Sequence, residues 1–257
     1  MAKIHKLDIY QNAIDSLNFG IEMCEKAFED ESKYKFTIIL ISNFMELLLK
    51  RLVEIQNPLL IFEKPYSDKI SKEKTITWSQ SLQILTNSGK IINIKLIEDL
   101  RKLSNIRNEI MHYKFEYNAY EIDSIILTVI DGLRQLYLDI SGNDLIKDVH
   151  ESTKTILEKI KDDYLKQLHQ AQFKAKDEAE ENDMAVKDCN FCFESKTAVE
   201  RINKEIYCYF CEETDREEMC TRCTVPCLIS EMDYFGENEY GDPMYFCQYC
   251  SGLISGD

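Results

Sequence analysis

Proline and glycine are scarce in this chain, at 4 and 8 of 257 residues. No proline falls between Pro65 and Pro226, and glycine is sparse until the last quarter. Both residues interrupt helices, so their scarcity makes the first two thirds read as helical. No stretch of eighteen uncharged apolar residues exists, which leaves no expected membrane span or membrane partner. The opening MAKIHKLDIYQ has no apolar core of a secretory signal, so a cytoplasmic, reducing compartment is expected. Basic residues are also in deficit. Lys and Arg number 31 against 46 Asp and Glu, a net charge of −15, which argues against general affinity for nucleic acid.

The deficit is unevenly placed. Residues 1–141 carry 18 basic and 20 acidic groups, residues 142–184 carry 7 and 11, and residues 185–257 carry 6 and 15. The last segment is therefore not expected to read nucleic acid, and a protein partner for this acidic tail is the better expectation.

That tail holds nine of the ten cysteines, and eight of them form four Cys-x-x-Cys pairs. These are Cys189/Cys192, Cys208/Cys211, Cys220/Cys223 and Cys247/Cys250. A two-residue gap lets both thiolates of a pair converge on one tetrahedral ion, and two pairs complete a Cys₄ site. Two structural Zn²⁺ per chain are expected. A disulfide framework is disfavoured, because the cysteines come as close pairs and no secretory signal precedes them. Two pairings are open. A sequential one joins the first two pairs and then the last two, as in zinc ribbons. An interleaved one joins the first with the third and the second with the fourth. The charged connector EETDREEM between Cys211 and Cys220 favours the sequential arrangement. Cys227 is left as a spare buried thiol or a stand-in ligand.

Apolar periodicity predicts five helices over residues 8–30, 33–56, 77–86, 93–113 and 120–140, forming an antiparallel helical bundle. The second is apolar almost all round and is expected to lie at the centre. Trp78, opening the third, reads as core. A charged helix follows from about residue 143 to residue 181, with Val149, Thr153, Ile156, Ile160, Tyr164, Leu168 and Ala171 as its stripe. That stripe suits packing along its own bundle or a partner helix in a dimer. Residues 174–183 read as fraying into a linker. Three domains are expected: a helical bundle over 1–141, a charged helical arm and linker over 142–184, and a small β-rich zinc-binding domain over 185–257.

The fourth helix carries Arg107-Asn108-Glu109-Ile110-Met111-His112 near its end. Cleaving RNA without a metal needs a group that moves the 2′-hydroxyl proton and a cation for the charge that builds on the phosphate. Histidine suits the first and arginine the second. Asn108 and His112 are four apart and stack on one helix face. Arg107 and His112 are five apart, about 140° around a helix of 3.6 residues per turn, so one copy is poorly placed to bracket a phosphate. Two copies facing each other across a dimer interface would do so. On the second helix, Glu46 and Lys50 are four apart, either as a helix ion pair or as a support for the site.

The RNEIMH segment, preceded by the helix SNFMELLLKRLVE, resembles the HEPN superfamily of helical nucleotide-binding domains and ribonucleases over roughly residues 8–141. The family signature is Arg, often followed by Asn, Asp or His, then a His within four to six residues. Some subfamilies carry a Tyr two places after the His; here Lys114 stands there and Tyr113 is adjacent. The resemblance implies a homodimeric endoribonuclease with RNA as substrate, in a prokaryotic antiviral defence or toxin system. Arg107, Asn108 and His112 would be its catalytic residues, a composite site would form from two protomers, and the products would end in 2′,3′-cyclic phosphate. No catalytic metal is then expected. A non-catalytic dimeric adaptor whose acidic tail binds a protein, or a nucleotide sensor holding phosphates through Arg107, are the alternative readings.

Overall fold

The computed structural model describes residues 8–112, 119–192, 194–238 and 240–253, and among these the fold is mostly helical, with small antiparallel sheets near the C-terminus. The chain divides into two compact units, residues 1–162 and 163–257.

In the first unit, α1 (Ile9–Ala27) starts at a capping box: the Asp8 carboxylate accepts from the Gln11 backbone N–H, while the Gln11 side chain accepts from the Asp8 N–H. The next helix, α2 (Tyr34–Gln56), packs against α1 over its length, close enough that a Cβ on Gly20 would meet Ile41 Cδ1 at 2.7 Å. It also contacts α3 (Trp78–Asn87), α4 (Ile94–His112) and α5 (Ala119–Ser141), which explains its apolarity on nearly every face. Its Ile38, Ile41, Phe44, Leu48, Leu49 and Leu52 are completely buried. A second capping box, Thr77 with Gln80, starts α3. A bidentate Arg134–Asp144 pair, at 2.8 and 2.7 Å, ties the end of α5 to the turn that follows it.

The long helix α6 (Glu151–Asn182) contributes to both units. Val149 just before it, with Ile156 and Ile160, joins the large apolar core of the first unit. Its later residues belong to the second unit, where Tyr164, Leu168 and Ala171 pack on one apolar cluster and Ala175 and Ala179 on another. Residues 174–182 therefore do not fray. The two alanines are buried against Val199, and Glu178 accepts from Tyr209 Oη at 2.7 Å and Arg201 Nε at 3.1 Å. The Tyr209 bond, with Arg201 beside it, holds the Glu178 carboxyl below its usual range.

The second unit has a four-stranded antiparallel sheet in the order β1 (Ala185–Lys187), β2 (Ala198–Glu200), β3 (Ile206–Cys208), β4 (Thr214–Asp215). Two hairpins follow: β5 (Glu217–Met219) with β6 (Pro226–Leu228), and β7 (Met232–Glu237) with β8 (Pro243–Cys247). A single helical turn, α7 (Gln248–Gly252), closes the unit. No helix among the described residues is long and apolar enough to cross a membrane.

Candidate functional site

Two clusters of four cysteines stand out in the second unit: Cys189, Cys192, Cys208 and Cys211, and then Cys220, Cys223, Cys247 and Cys250. Within each, all sulfurs lie within 4.8 Å of one another. The pairing is sequential, in the order favoured by the charged connector.

Three of the four pairs sit on one backbone design. The N–H of the first cysteine donates to the carbonyl five residues on, from Cys189 to Glu194, Cys208 to Glu213 and Cys220 to Val225. In the second and third, the residue after the pair turns back to donate to the first cysteine's carbonyl, Glu212 to Cys208 and Thr224 to Cys220. That return takes Glu212 and Thr224 to φ of 62° and 59°, the left-handed region that non-glycine residues seldom occupy. Local strain is thus spent on aiming two sulfurs at one point. The fourth pair, Cys247/Cys250, is built differently, with Cys250 on α7.

Backbone amides also point at sulfur. Phe191 and Cys192 donate to Cys189 Sγ, Phe210 to Cys208 Sγ and Cys247 to Cys220 Sγ, at 3.3 to 3.5 Å. Such donors favour the thiolate over the thiol. Hydrogen bonds from Cys189, Cys192 and Cys211, with Thr197 at 3.3 Å, hold the Cys208 thiol below its usual range. The sulfur spacing fits a metal. Four sulfurs at about 2.3 Å from a tetrahedral ion lie about 3.8 Å apart, and Cys189–Cys211, Cys192–Cys208 and Cys223–Cys247 are separated by 3.6, 3.8 and 3.7 Å. Both groups could hold a metal ion. Each has two buried cysteines, Cys189 and Cys208 in the first and Cys220 and Cys250 in the second, but only the second has an exposed one, Cys223.

Two features of this unit were not legible in the sequence. Asp215, 2% exposed, accepts from Asn190 Nδ2 beside the first cluster and from the backbone N–H and hydroxyl of Ser230, so it pins two loops together. Cys227 belongs to neither cluster, so it is spare, but it is half-buried on β6 rather than buried.

In the helical unit, Arg107 and Asn108 are exposed on α4, with the Arg107 guanidinium donating to Asn108 Oδ1 at 3.4 Å. His112 is the last residue of α4, and its side chain lies outside the described residues, as do Tyr113 and Lys114. Arg107 lines a cavity of about 180 Å³ together with Ser42, Asn43 and Glu46 of α2, Trp78 of α3, and Ser104 of α4. The structure thus places Glu46 and Arg107 at one cavity. Lys50 is held apart from it as a structural ion pair: it is 7% exposed, bonded to Glu46 Oε1 at 2.6 Å and to Thr75 Oγ1 at 2.9 Å. Trp78 is not core. Its indole N–H needs an acceptor and finds Ser104 Oγ at 3.2 Å, which keeps the ring at the edge of the core on the cavity wall.

No protein-family model matches this chain, and no curated protein or solved structure shows significant similarity to it.

Proposed function

We propose that the protein is a metal-independent endoribonuclease built on a HEPN-like antiparallel helical bundle, with a double zinc-ribbon tail holding two structural Zn²⁺. The observation that carries this reading is the exposed Arg107 guanidinium on α4, lining a cavity that also contains the Glu46 carboxylate of α2. A fixed fork of donors on a protein surface suits a phosphodiester, and no core role claims it.

In this reading the ribose 2′-oxygen attacks the adjacent phosphorus and the bond to the 5′-oxygen breaks, leaving a 2′,3′-cyclic phosphate and a free 5′-hydroxyl. His112 takes the 2′-hydroxyl proton, and the leaving 5′-oxygen gains a proton from water. Arg107 neutralises charge on the non-bridging oxygens, and Asn108 orients the phosphate. The 140° or so between Arg107 and His112 on one helix is the reason for two protomers in one site. A cytoplasmic role in prokaryotic antiviral defence or a toxin system follows from the resemblance alone.

The zinc assignment rests on the all-thiolate donor set and the tetrahedral sulfur spacing. Bound there, zinc supplies folding energy, and the residues of the helical unit do the chemistry.

The test is cleavage of end-labelled RNA by the zinc-replete protein. Arg107→Ala and His112→Ala are each expected to lower the rate by about 10² to 10⁴ with helix content and zinc unchanged. Mixed dimers of the two variants recover part of the activity, because one intact Arg and one intact His remain. Full activity in either single variant removes the reading.

A second reading, a non-catalytic adaptor, is favoured by the tail surface. Tyr234, Tyr240 and Tyr249 are 58%, 81% and 75% exposed on a segment with a large acidic excess. It takes over if the wild-type protein leaves RNA intact and the tail alone captures a protein partner.

A further inference from the structure

The hairpin of β7 and β8 leaves its apolar side chains without a core. Among the described residues from 216 to 253, only Cys220 and Cys250 are buried, and both belong to the second cysteine cluster. None of these residues joins an apolar cluster. Four aromatic rings stand on the hairpin in two cross-strand pairs. Phe235 meets Phe246 at 4.8 Å between ring centroids, and Tyr234 meets Tyr245 at 5.7 Å. The register sets Asp233 opposite Phe246 and Tyr234 opposite Tyr245. Residues directly opposite share a face of a sheet, and successive residues of a strand do not. One face therefore carries Asp233, Phe235 and Phe246, and the other carries Tyr234 and Tyr245. Asp233 and Phe235 are exposed, and Phe246 is half-buried. A two-stranded sheet is marginal alone, and uncovered aromatic surface on it is where another molecule packs.

Charge decides what packs there. Residues 223–257 contain Glu231, Asp233, Glu237, Glu239, Asp242 and Asp257, and no Lys, Arg or His at all. Among the described residues no ion pair involves Asp233. A second copy docking hairpin to hairpin brings the same acids and is repelled, and so is RNA. A guanidinium fits. It is flat enough to lie on an aromatic ring while its fork of donors meets a carboxylate beside that ring. We propose that the Asp233–Phe235–Phe246 face of the β7–β8 hairpin docks an arginine-rich segment of a partner protein. One arginine packs on Phe235 and donates to Asp233, and the acids nearby in the chain draw in its basic neighbours. This proposal goes beyond the ribonuclease reading and does not rest on it.

The experiment follows the fluorescence anisotropy of a labelled peptide of alternating arginine and glycine, titrated with the zinc-replete, full-length protein at physiological salt. A lysine–glycine peptide and a single-stranded RNA carrying the same label are the comparison probes. The arginine peptide is expected to bind saturably, at least about fivefold more tightly than the lysine peptide. Phe235→Ala and Asp233→Asn each weaken it about fivefold, and Phe235→Tyr, which keeps a ring, does not. Tyr234→Ala on the opposite face and Glu25→Gln on α1 change it by less than about twofold. Zinc content is measured in every variant. If Phe235→Ala loses zinc, Asp233→Asn, a change at an exposed carboxylate, carries the comparison. No saturable binding, equal affinity for the lysine peptide, or unchanged binding in Asp233→Asn overturns the proposal. RNA bound more tightly than the peptide at these residues overturns it in favour of a nucleic-acid surface. A dimer that Phe235→Ala breaks in light scattering, with peptide binding kept, overturns it in favour of a second copy. The two readings fail separately. Arginine-peptide binding with RNA left intact removes the ribonuclease and keeps the docking face, and RNA cleavage without peptide binding does the reverse.

Discussion

The helical unit gathers 35 buried residues into one apolar cluster, Phe44, Met45 and a dozen leucines among them. Among the described residues, the cysteine-rich unit has eight buried residues in two apolar clusters, four of them alanines and two of them cysteines, with Phe210 the one aromatic. Burying a large aliphatic side chain is favourable by about 1.5–3 kcal/mol, so the first unit offsets its conformational entropy with apolar burial and the second lacks the material to do so. What the second has instead is two four-sulfur clusters and backbone turns strained to aim them. The charge follows the same division, with 15 acidic against 6 basic groups in residues 185–257.

The harshest test of this contrast is metal removal. Structural zinc contributes on the order of 10 kcal/mol or more to the folding of small domains. A strong chelator, or Cys208→Ser with Cys220→Ser, is therefore expected to abolish the fold of residues 185–257 while the α1–α5 helices persist. Elemental analysis should give two zinc ions per chain beforehand, and amide exchange should show protection lost in the tail alone. Loss of the helices as well would mean the units do not stand on separate supports.

The reverse experiment cuts the large core. Phe44 is fully buried at the centre of α2. Phe44→Ala should destabilise the helical unit by about 3–5 kcal/mol, seen as a lower denaturation midpoint by circular dichroism, with zinc content unchanged.

Why the two units differ in legibility follows from the same physics. Helices α1 to α5 fall within a few residues of their expected bounds, because long apolar periodicity and missing proline are local signals. The sequential cysteine clusters were legible through spacing. The C-terminal half of α6 was not. The expected stripe stopped at Ala171; Ala175 and Ala179 continue it as small residues hidden among charges, and only the tail packed on them reveals them as buried. The cavity was equally hidden, since Ser42, Trp78, Ser104 and Arg107 come from three helices whose packing no local pattern encodes. Asp215 gave no signal at all, being one more acid in an acidic segment.

A partly buried carboxyl sharpens the comparison further. Asp123 on α5 accepts from Tyr34 Oη at 3.3 Å and Cys24 Sγ at 3.7 Å. Burial nonetheless pushes its pKa up to about 6, against those two bonds. A raised acid binds its proton more tightly when folded, so its effect on stability falls as pH rises from the unfolded value near 3.8 through 6 and is flat above. The span corresponds to at most ~3 kcal/mol. Asp123→Asn is expected to raise stability by about 1–2 kcal/mol at pH 7.5 and to give no gain at pH 4. Thermal midpoints of both proteins across that range check it, and a gain independent of pH would show that charge is not the cause.

The smallest expected effect is the one that separates fold from function. Arg107 is exposed, and its guanidinium reaches Asn108 at a marginal 3.4 Å, whereas the buried Lys50 makes two short bonds to Glu46 and Thr75. A surface substitution away from caps, networks and cores stays within about 0.5 kcal/mol. Arg107→Ala should therefore leave the thermal midpoint of the helical unit almost unmoved, while Lys50→Ala, which strands Glu46 and Thr75 beside an opened space, should lower it by more than 1 kcal/mol or so. If Arg107→Ala proved as damaging as Lys50→Ala, the guanidinium would be a structural member of α4, and any loss of RNA cleavage in that variant would report unfolding. If the midpoints separate as expected, a loss of cleavage in Arg107→Ala reports the chemistry of the site itself.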